Sequence, residues 1–328
     1  MKGLNLTKAL VAAFVLALPA GTSAVAQDYP NKSIMHIMPW SAGGGTDTVI
    51  RTFLSFAEEP LGVSINTQNI TGAQSGIGTL RLMKSRPDGY TIGTLTWDSV
   101  VTVPYNKLVP GFDMSELAYL GSVTVHPTAL VVCADAPWQT LEEFVAAAKT
   151  NPGTLKISNV GTGGVWHLPA LDFAQKAEID VQHIPYPQGS GPQREALLSG
   201  ETDAASTSIS AVYSAIESGQ ARVLGVMGDE RDPNFPEVST FKEAGYDVVW
   251  GGYRLIATQK GVAPEQQAVL EDAFARVFEN PEFQKVEKQT GMGAVWMNAA
   301  DTARYVQTSQ ERAFALMDEL AEQGLLQK

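Results

Sequence analysis

Hydrophobic and polar positions along the chain switch repeatedly between two periods. The apolar run Ile34-Met35-His36-Ile37-Met38 predicts a buried strand, and Thr48-Val49-Ile50-Arg51-Thr52-Phe53-Leu54 predicts an amphipathic helix. The succession then repeats. Val63-Ser64-Ile65-Asn66-Thr67-Gln68-Asn69 is a second strand, and Leu80-Arg81-Leu82-Met83 lies in a second helix. Pro87-Asp88-Gly89-Tyr90 is a turn by its dipeptides, and Ile92-Gly93-Thr94-Leu95-Thr96 is a third strand, with Trp97 and Asp98 just past its end. Strand, helix, strand, helix, strand predicts a parallel sheet covered on both faces. Ligands of such sheets bind beyond the carboxyl ends of the strands.

From Leu117 to Cys133 the pattern is strand-rich, and then the alternation restarts. Thr140-Leu141-Glu142-Glu143 is a capping-box start for a helix to Lys149. Leu155-Lys156-Ile157-Ser158 is a strand, with further strands near 182–184, 202–206 and 222–226 separated by helices near 193–198 and 211–217. Arg254-Leu255-Ile256-Ala257 is a late strand, followed by helices at 264–278, 281–289 and 299–322. Helices of that length with too few strands of their own must pack on an existing sheet, and the simplest placement is back on the first. The expected fold is α/β, with two Rossmann-like domains. Residues 27–126 and 248–328 form domain 1 and residues 127–247 form domain 2. Two crossings between them make a hinge with an interdomain cleft.

Two glycine turns would face that cleft. Pro39-Trp40-Ser41-Ala42-Gly43-Gly44-Gly45-Thr46-Asp47 joins the first strand to the first helix, and Asn159-Val160-Gly161-Thr162-Gly163-Gly164-Val165-Trp166-His167 does the same in domain 2. Glycines allow close approach to the main chain. Thr46 or Asp47 can cap the helix, whose free N–H groups favour anions. An ordinary strand-to-helix connection without a ligand has the same local pattern. Arg254 interrupts an apolar strand near the second crossing, either as an edge residue that reaches water or as a carboxylate partner. Asp203 could accept from a ligand or fix a turn. His167 opens the second turn's helix, as ligand contact or local cap. Trp40, Trp97 and Trp166 each stand beside a turn and could form an aromatic wall, although core packing is the default for each. His36 reads as a satisfied core histidine.

Composition narrows the function. Lys2 and Lys8, the apolar run from Ala9 to Ala20 and Ala24-Val25-Ala26 form the three-part pattern of a secretory signal peptide over 1–26, too short in its apolar part to span a bilayer. Removing it leaves 21 basic against 35 acidic residues, a net charge of about −14, which excludes nucleic acid and anionic membranes as partners. Cys133 is the only cysteine, so no intrachain disulfide forms; it reads as a buried thiol. The chain has no Gly-x-Ser-x-Gly elbow, no phosphate loop, no complete Gly-x-Gly-x-x-Gly and no metal-ligand spacing among His36, His126, His167 and His183. Anion binding is compatible with the acidic surface. Dispersed charges are screened beyond about 8 Å, whereas donors in a cleft, including the hydroxyls of Ser41, Thr46 and Thr162, contribute about 1.5–3 kcal/mol per charge-assisted bond.

Five stretches in order resemble the solute-binding receptors of tripartite tricarboxylate transporters, the Bug-type periplasmic proteins. Pro39-Trp40 with Gly43-Gly44 and Thr46-Asp47 is similar to the family's first binding loop, Pro87-Asp88-Gly89-Tyr90-Thr91 to its central turn, and Gly161-Thr162-Gly163-Gly164 with His167-Leu168 to its second loop. His183-Ile184-Pro185-Tyr186 and Gly200-Glu201-Thr202-Asp203 are similar to further landmarks. The resemblance implies a periplasmic binding protein of type II, a Venus flytrap that closes on an organic acid and delivers it to a transporter with two integral membrane subunits. The reading is of a monomeric, non-enzymatic receptor with no metal or cofactor. The ligand-binding set expected is Trp40, Ser41, Ala42, Gly43, Gly44, Thr46, Asp47, Thr96, Trp97, Asn159, Gly161, Thr162, Gly163, Gly164, His167, Tyr186, Asp203 and Arg254. Ile70-Thr71 replaces the family's usual Arg-Pro, Trp40 its Phe and Ser41 its Pro, and Gln188 is also atypical, so citrate is not assumed as the substrate. A secreted α/β enzyme using Asp47 or His167, or a sensor feeding a signalling kinase, would present the same cleft.

Overall fold

The computed structural model describes residues 29–187, 189–232 and 234–326, so the signal-peptide segment and Gln188 lie outside the described residues. The first sheet takes β1 (Ile34–Met38), β2 (Ile65–Asn69) and β3 (Thr91–Thr96) in parallel, separated by α1 (Gly45–Leu61) and α2 (Gly76–Met83). Two short helices, α3 (Trp97–Val100) and α4 (Thr102–Tyr105), lead to β4 (Leu117–Pro127). The second sheet is built from β5 (Ala129–Cys133), α5 (Leu141–Thr150), β6 (Lys156–Asn159), α6 (His167–Ala177), β7 (Gln182–Pro185), α7 (Ser190–Leu198), β8 (Ala204–Thr207), α8 (Ile209–Glu217) and β9 (Ala221–Val226). The chain then returns through β10 (Gly251–Gln259) to α9 (Pro264–Glu279), α10 (Pro281–Thr290) and α11 (Ala299–Glu322).

Strand orders are β2-β1-β3-β10-β4 and β7-β6-β8-β5-β9. Each sheet is mixed, a correction to the purely parallel expectation. β10 lies antiparallel between β3 and β4, and β5 lies antiparallel between β8 and β9. Within each sheet the trios β1–β3 and β6–β8 run parallel.

Two of the late helices pack against α1 beside the first sheet. Phe53 of α1 meets Phe274 and Phe278 of α9 and Phe283 of α10 at ring separations of 5.6, 5.8 and 6.1 Å. Burying each such ring removes apolar surface worth about 1.5–3 kcal/mol from water. Two sequence devices set helix ends here: Gly62 stops α1 in a left-handed conformation, its N–H donating to Glu58 and Glu59 carbonyls, and Asn280 caps α10 by accepting from Glu282 and Phe283 N–H groups. Cys133 departs from expectation. It sits half-exposed at the end of β5 rather than buried.

The three segments that join the two sheets are bonded to one another. Thr128 N donates to the Trp250 carbonyl at 2.8 Å, Trp250 N to that of Met227 at 2.7 Å, and Met227 N to that of Thr128 at 2.7 Å. Side chains then close over them. Trp97 packs edge-on against Trp250 at 6.1 Å, and Trp166 of domain 2 against His126 of domain 1 at 5.6 Å.

Candidate functional site

Six helices begin just beyond the carboxyl ends of the parallel strands, three from each domain, and contacts between their first turns define the seam. A Cβ built on Gly45 at the start of α1 would come within 3.7 Å of Ser190 Oγ at the start of α7. Val165 N, ahead of α6, donates to Asp98 Oδ1 of α3 at 3.4 Å, and Thr102 Oγ1 donates to the Gly163 carbonyl at 3.4 Å.

The first turn is open. Ser41, Ala42, Gly43 and Gly44 are exposed and Trp40 is half-buried. Gly43 takes φ +75°, a left-handed conformation that glycine adopts without penalty. The helix cap is Gly44, not Thr46 or Asp47, and α1 has no side-chain cap. Its first N–H groups, those of Gly45, Thr46 and Asp47, have no acceptor among the described residues. That leaves the positive end of a 17-residue helix unfilled. Asp47 turns its carboxylate into the turn itself. Its carboxylate accepts from Gly43 N at 2.9 Å, Asn69 Nδ2 at 2.8 Å and Arg51 Nε at 2.9 Å. Burial alone would raise its pKa, but these bonds outweigh it and hold the group below the usual carboxylate range. Asp47 is therefore the brace of the turn.

Beneath this turn lies Arg254, in β10. It is buried, 7% exposed, so it does not reach to bulk water as an edge residue would. Nε donates to Thr46 Oγ1 at 3.2 Å, and Nη1 to Thr124 Oγ1 at 3.0 Å and to His126 Nε2 at 3.1 Å. All three acceptors are neutral. No carboxylate pairs with Arg254 and no acceptor meets its Nη2 among the described residues. Burial pulls its pKa down to about 10, still charged at neutral pH.

The second turn is closed on itself, a correction to its expected role as a matching set of backbone donors. Gly161 N donates to Asn159 Oδ1 at 2.9 Å, Gly163 N to His167 Nδ1 at 2.9 Å and Gly164 N to the Gly161 carbonyl at 3.2 Å. His167 is 5% exposed and its Nδ1 is occupied, so it supports the turn and does not offer that atom to a ligand. Burial, with His183 beside it, holds its pKa down to about 3 and keeps it neutral. Thr162 is exposed at the tip, and Asn159, 1% exposed, keeps its Nδ2 without a partner.

Other expected residues fall elsewhere. Trp97, 2% exposed, is core, because its ring fills the space against Trp250 instead of lining a wall. Trp166 is likewise covered, by His126. Thr96 is buried, its Oγ1 accepting from Trp40 Nε1 at 3.3 Å and so seating that indole. Asp203 is displaced from the site. Its Oδ2 accepts from Lys156 N at 2.8 Å, at the opposite end of β6 from the Asn159 turn. Tyr186 directs its hydroxyl to Glu201 at 2.8 Å, which leaves only its ring near the turn that its N–H anchors through the Asn159 carbonyl.

Sequence reasoning missed Ser190 and Gln74. The run Gly189-Ser190-Gly191-Pro192 carries a helix-start signal, because proline in a first turn has no N–H to leave unpaired; the expected helix began three residues too late. Gln74 lies in the glycine-bearing turn Thr71-Gly72-Ala73-Gln74-Ser75-Gly76-Ile77-Gly78 after the second strand; the glycines mark that turn but not which of its side chains is turned inward.

Similarity to known proteins agrees with this architecture. A family model described as "Tripartite tricarboxylate transporter family receptor" matches residues 49–321. A UPF0065 protein encoded in the gbd 5' region of Cupriavidus necator is 29% identical over 317 residues, covering 96% of this chain and 95% of the relative. The crystal structure of a TctC solute-binding protein from Polaromonas superposes with a TM-score of 0.73 at 30% identity, over 89% of this chain and 100% of that one. At the level of fold alone, MatC from Rhodopseudomonas palustris with bound malate aligns with a TM-score of 0.76 at 23% identity, over 88% of this chain and 99% of that one. An R. palustris protein with adipate aligns with a TM-score of 0.81 at 21% identity, over 89% and 98%. The chain belongs to the tripartite tricarboxylate transporter receptor family of solute-binding proteins.

Proposed function

We propose that the protein is a periplasmic receptor that closes its two domains, divided at 126/127 and 247/248, around a carboxylated small molecule and hands it to a transporter with two integral membrane subunits. The observation that carries this reading is Arg254. A buried guanidinium surrounded only by neutral acceptors is a cation without its anion, and isolated buried charges are strongly disfavoured. The unfilled N–H groups of α1 lie above it, bonded into the same corner through Thr46. A ligand carboxylate placed there would receive charge-assisted hydrogen bonds from Arg254 and from the helix N-terminus.

In this reading the two jaws differ. The turn at 39–47 supplies charge-complementary donors, while the turn at 159–167 supplies shape, with Asn159, Thr162 and Ser190 as its polar contacts. Malate and adipate, bound by two proteins of the same fold, are both dicarboxylates and suit a site of this kind. A receptor role without turnover fits the way the expected acid-base candidates are committed: Asp47 to the turn it braces, and His167 to the Gly163 N–H.

Isothermal titration against a panel of mono-, di- and tricarboxylates tests the proposal, together with mass spectrometry of any compound that co-purifies. The expected result is saturable one-to-one binding of a monomer with no chemical change in the ligand. Conversion of a bound compound at catalytic protein concentrations would overturn it.

A further inference from the structure

The turn between β2 and α2 holds three consecutive non-glycine residues in the left-handed region: Ala73 at φ +47°, Gln74 at φ +51° and Ser75 at φ +80°. L-residues disfavour this region because Cβ crowds the following carbonyl. A run of them persists only where the surroundings enforce it. Here Ser75 Oγ is held 2.8 Å from Ser99 Oγ, and Gly76 is packed so closely that a Cβ on it would lie 2.6 Å from Val109 Cγ2.

The result of that enforced turn is the position of Gln74. Its Nε2 lies 3.8 Å from the place a Cβ would take on Gly161, across the seam in domain 2. Its Oε1 is sealed from solvent and has no hydrogen-bond partner among the described residues. Buried carbonyl oxygens in native proteins are paired with few exceptions. The other free groups of the site, Arg254 Nη2, Asn159 Nδ2 and the α1 N–H groups, are donors suited to a carboxylate, which only accepts. Gln74 Oε1 calls for the opposite chemistry.

Resting on the receptor reading above, we propose that Gln74 is a specificity-determining residue. Its side-chain oxygen accepts a hydrogen bond from a hydroxyl or amino group of the ligand, so the receptor selects hydroxy- or amino-substituted carboxylic acids over their unsubstituted counterparts. A site built around a polar substituent rejects the analogue that lacks it, because the buried partner is then left unpaired.

The test is calorimetric titration of wild type, Gln74→Gly and Gln74→Leu with matched pairs: succinate and malate, propanoate and lactate, glutarate and glutamate. Gln74→Gly suits the left-handed backbone and keeps the fold, which its thermal unfolding temperature checks. Wild type is expected to favour the substituted member of at least one pair by about tenfold or more, and both variants to bring the affinity ratio within that pair close to one. Equal affinity for the members of every pair in wild type, or a preference that survives in both variants, overturns the assignment to Gln74 while leaving the receptor reading intact. A wild-type protein that binds no carboxylate overturns the receptor reading, and this inference with it.

Discussion

Arg254 Nη1 lies 3.1 Å from His126 Nε2, and His126 Nδ1 lies 2.6 Å from the Gly252 carbonyl oxygen. A guanidinium only donates and a carbonyl only accepts, so the imidazole between them is the neutral Nδ1–H tautomer. Burial first and the Arg254 charge second hold its pKa down to about 3. His126 therefore adds no second charge beside Arg254.

Removing that cation separates its role in binding from any role in folding. Arg254→Met is expected to weaken carboxylate binding ten- to a hundredfold, the worth of about 1.5–3 kcal/mol for a charge-assisted bond. The unfolding temperature without ligand should hold, because a buried charge lacking a counter-ion contributes little to stability. Titration calorimetry and thermal scanning measure the two; undiminished affinity would remove Arg254 from the site.

Asp47→Ala should act on both quantities. It releases Gly43 N, Asn69 Nδ2 and Arg51 together, at a cost of about 1–3 kcal/mol in denaturant unfolding, and it loosens the turn so that ligand affinity falls as well. A variant that loses stability but keeps full affinity would show that the brace does not shape the site.

Asp98 sits at the domain seam, where burial pushes its pKa up to about 6 against the pull of Thr102 and Val165. Its folded pKa exceeds the unfolded value of 3.8, so the folded state binds the proton more tightly and this group destabilises as pH rises from about 4 to 6. Asp98→Asn keeps an oxygen for both donors and removes the charge. The variant is expected to be more stable than wild type at pH 7 by about 1–3 kcal/mol, with the difference vanishing near pH 4. Urea titrations at the two pH values check this.

The four histidines act in the opposite sense. Burial holds His36, His126 and His167 down to about 3 and His183 to about 4. The unfolded chain then binds more protons than the folded one below about pH 6.5, and stability falls with pH through that window. Each contributes up to about 2 kcal/mol of loss by pH 5. Thermal unfolding at pH 7 and pH 5 should show a lower midpoint in acid, and replacing His36, which bridges Thr67 and Thr94, with glutamine should reduce the slope.

Much of the fold was legible because periodicity is local. The alternation from Ile34 to Thr96 and the long apolar stripes of the last three helices announced their elements. Strand partners are not local. Nothing in Leu255-Ile256-Ala257 says that this strand enters between β3 and β4 and turns the sheet mixed. Within the site, glycine spacing located both turns but not the state of their donors. The unlike jaws arise from Asn159 and His167 folding back on their own turn, and from Gly44 leaving α1 uncapped. Trp97 stood at the right place in the chain with its ring turned inward to Trp250, a direction no one-dimensional pattern carries. Asp203 could have been set aside earlier, because it opens a parallel strand and ligands gather where such strands end.

The insertion of β10 between β3 and β4 also dictates an order of assembly. β3 and β4 are not neighbours: β4 pairs only with β10, more than 120 residues later, and β3 is joined to it only through that same strand. A chain emerging from its amino terminus thus cannot complete its first sheet until residues 251–259 arrive, whereas every strand of the second sheet lies within 129–226. The second sheet can therefore close before the first, whose long-range pairing is of the kind that forms slowly.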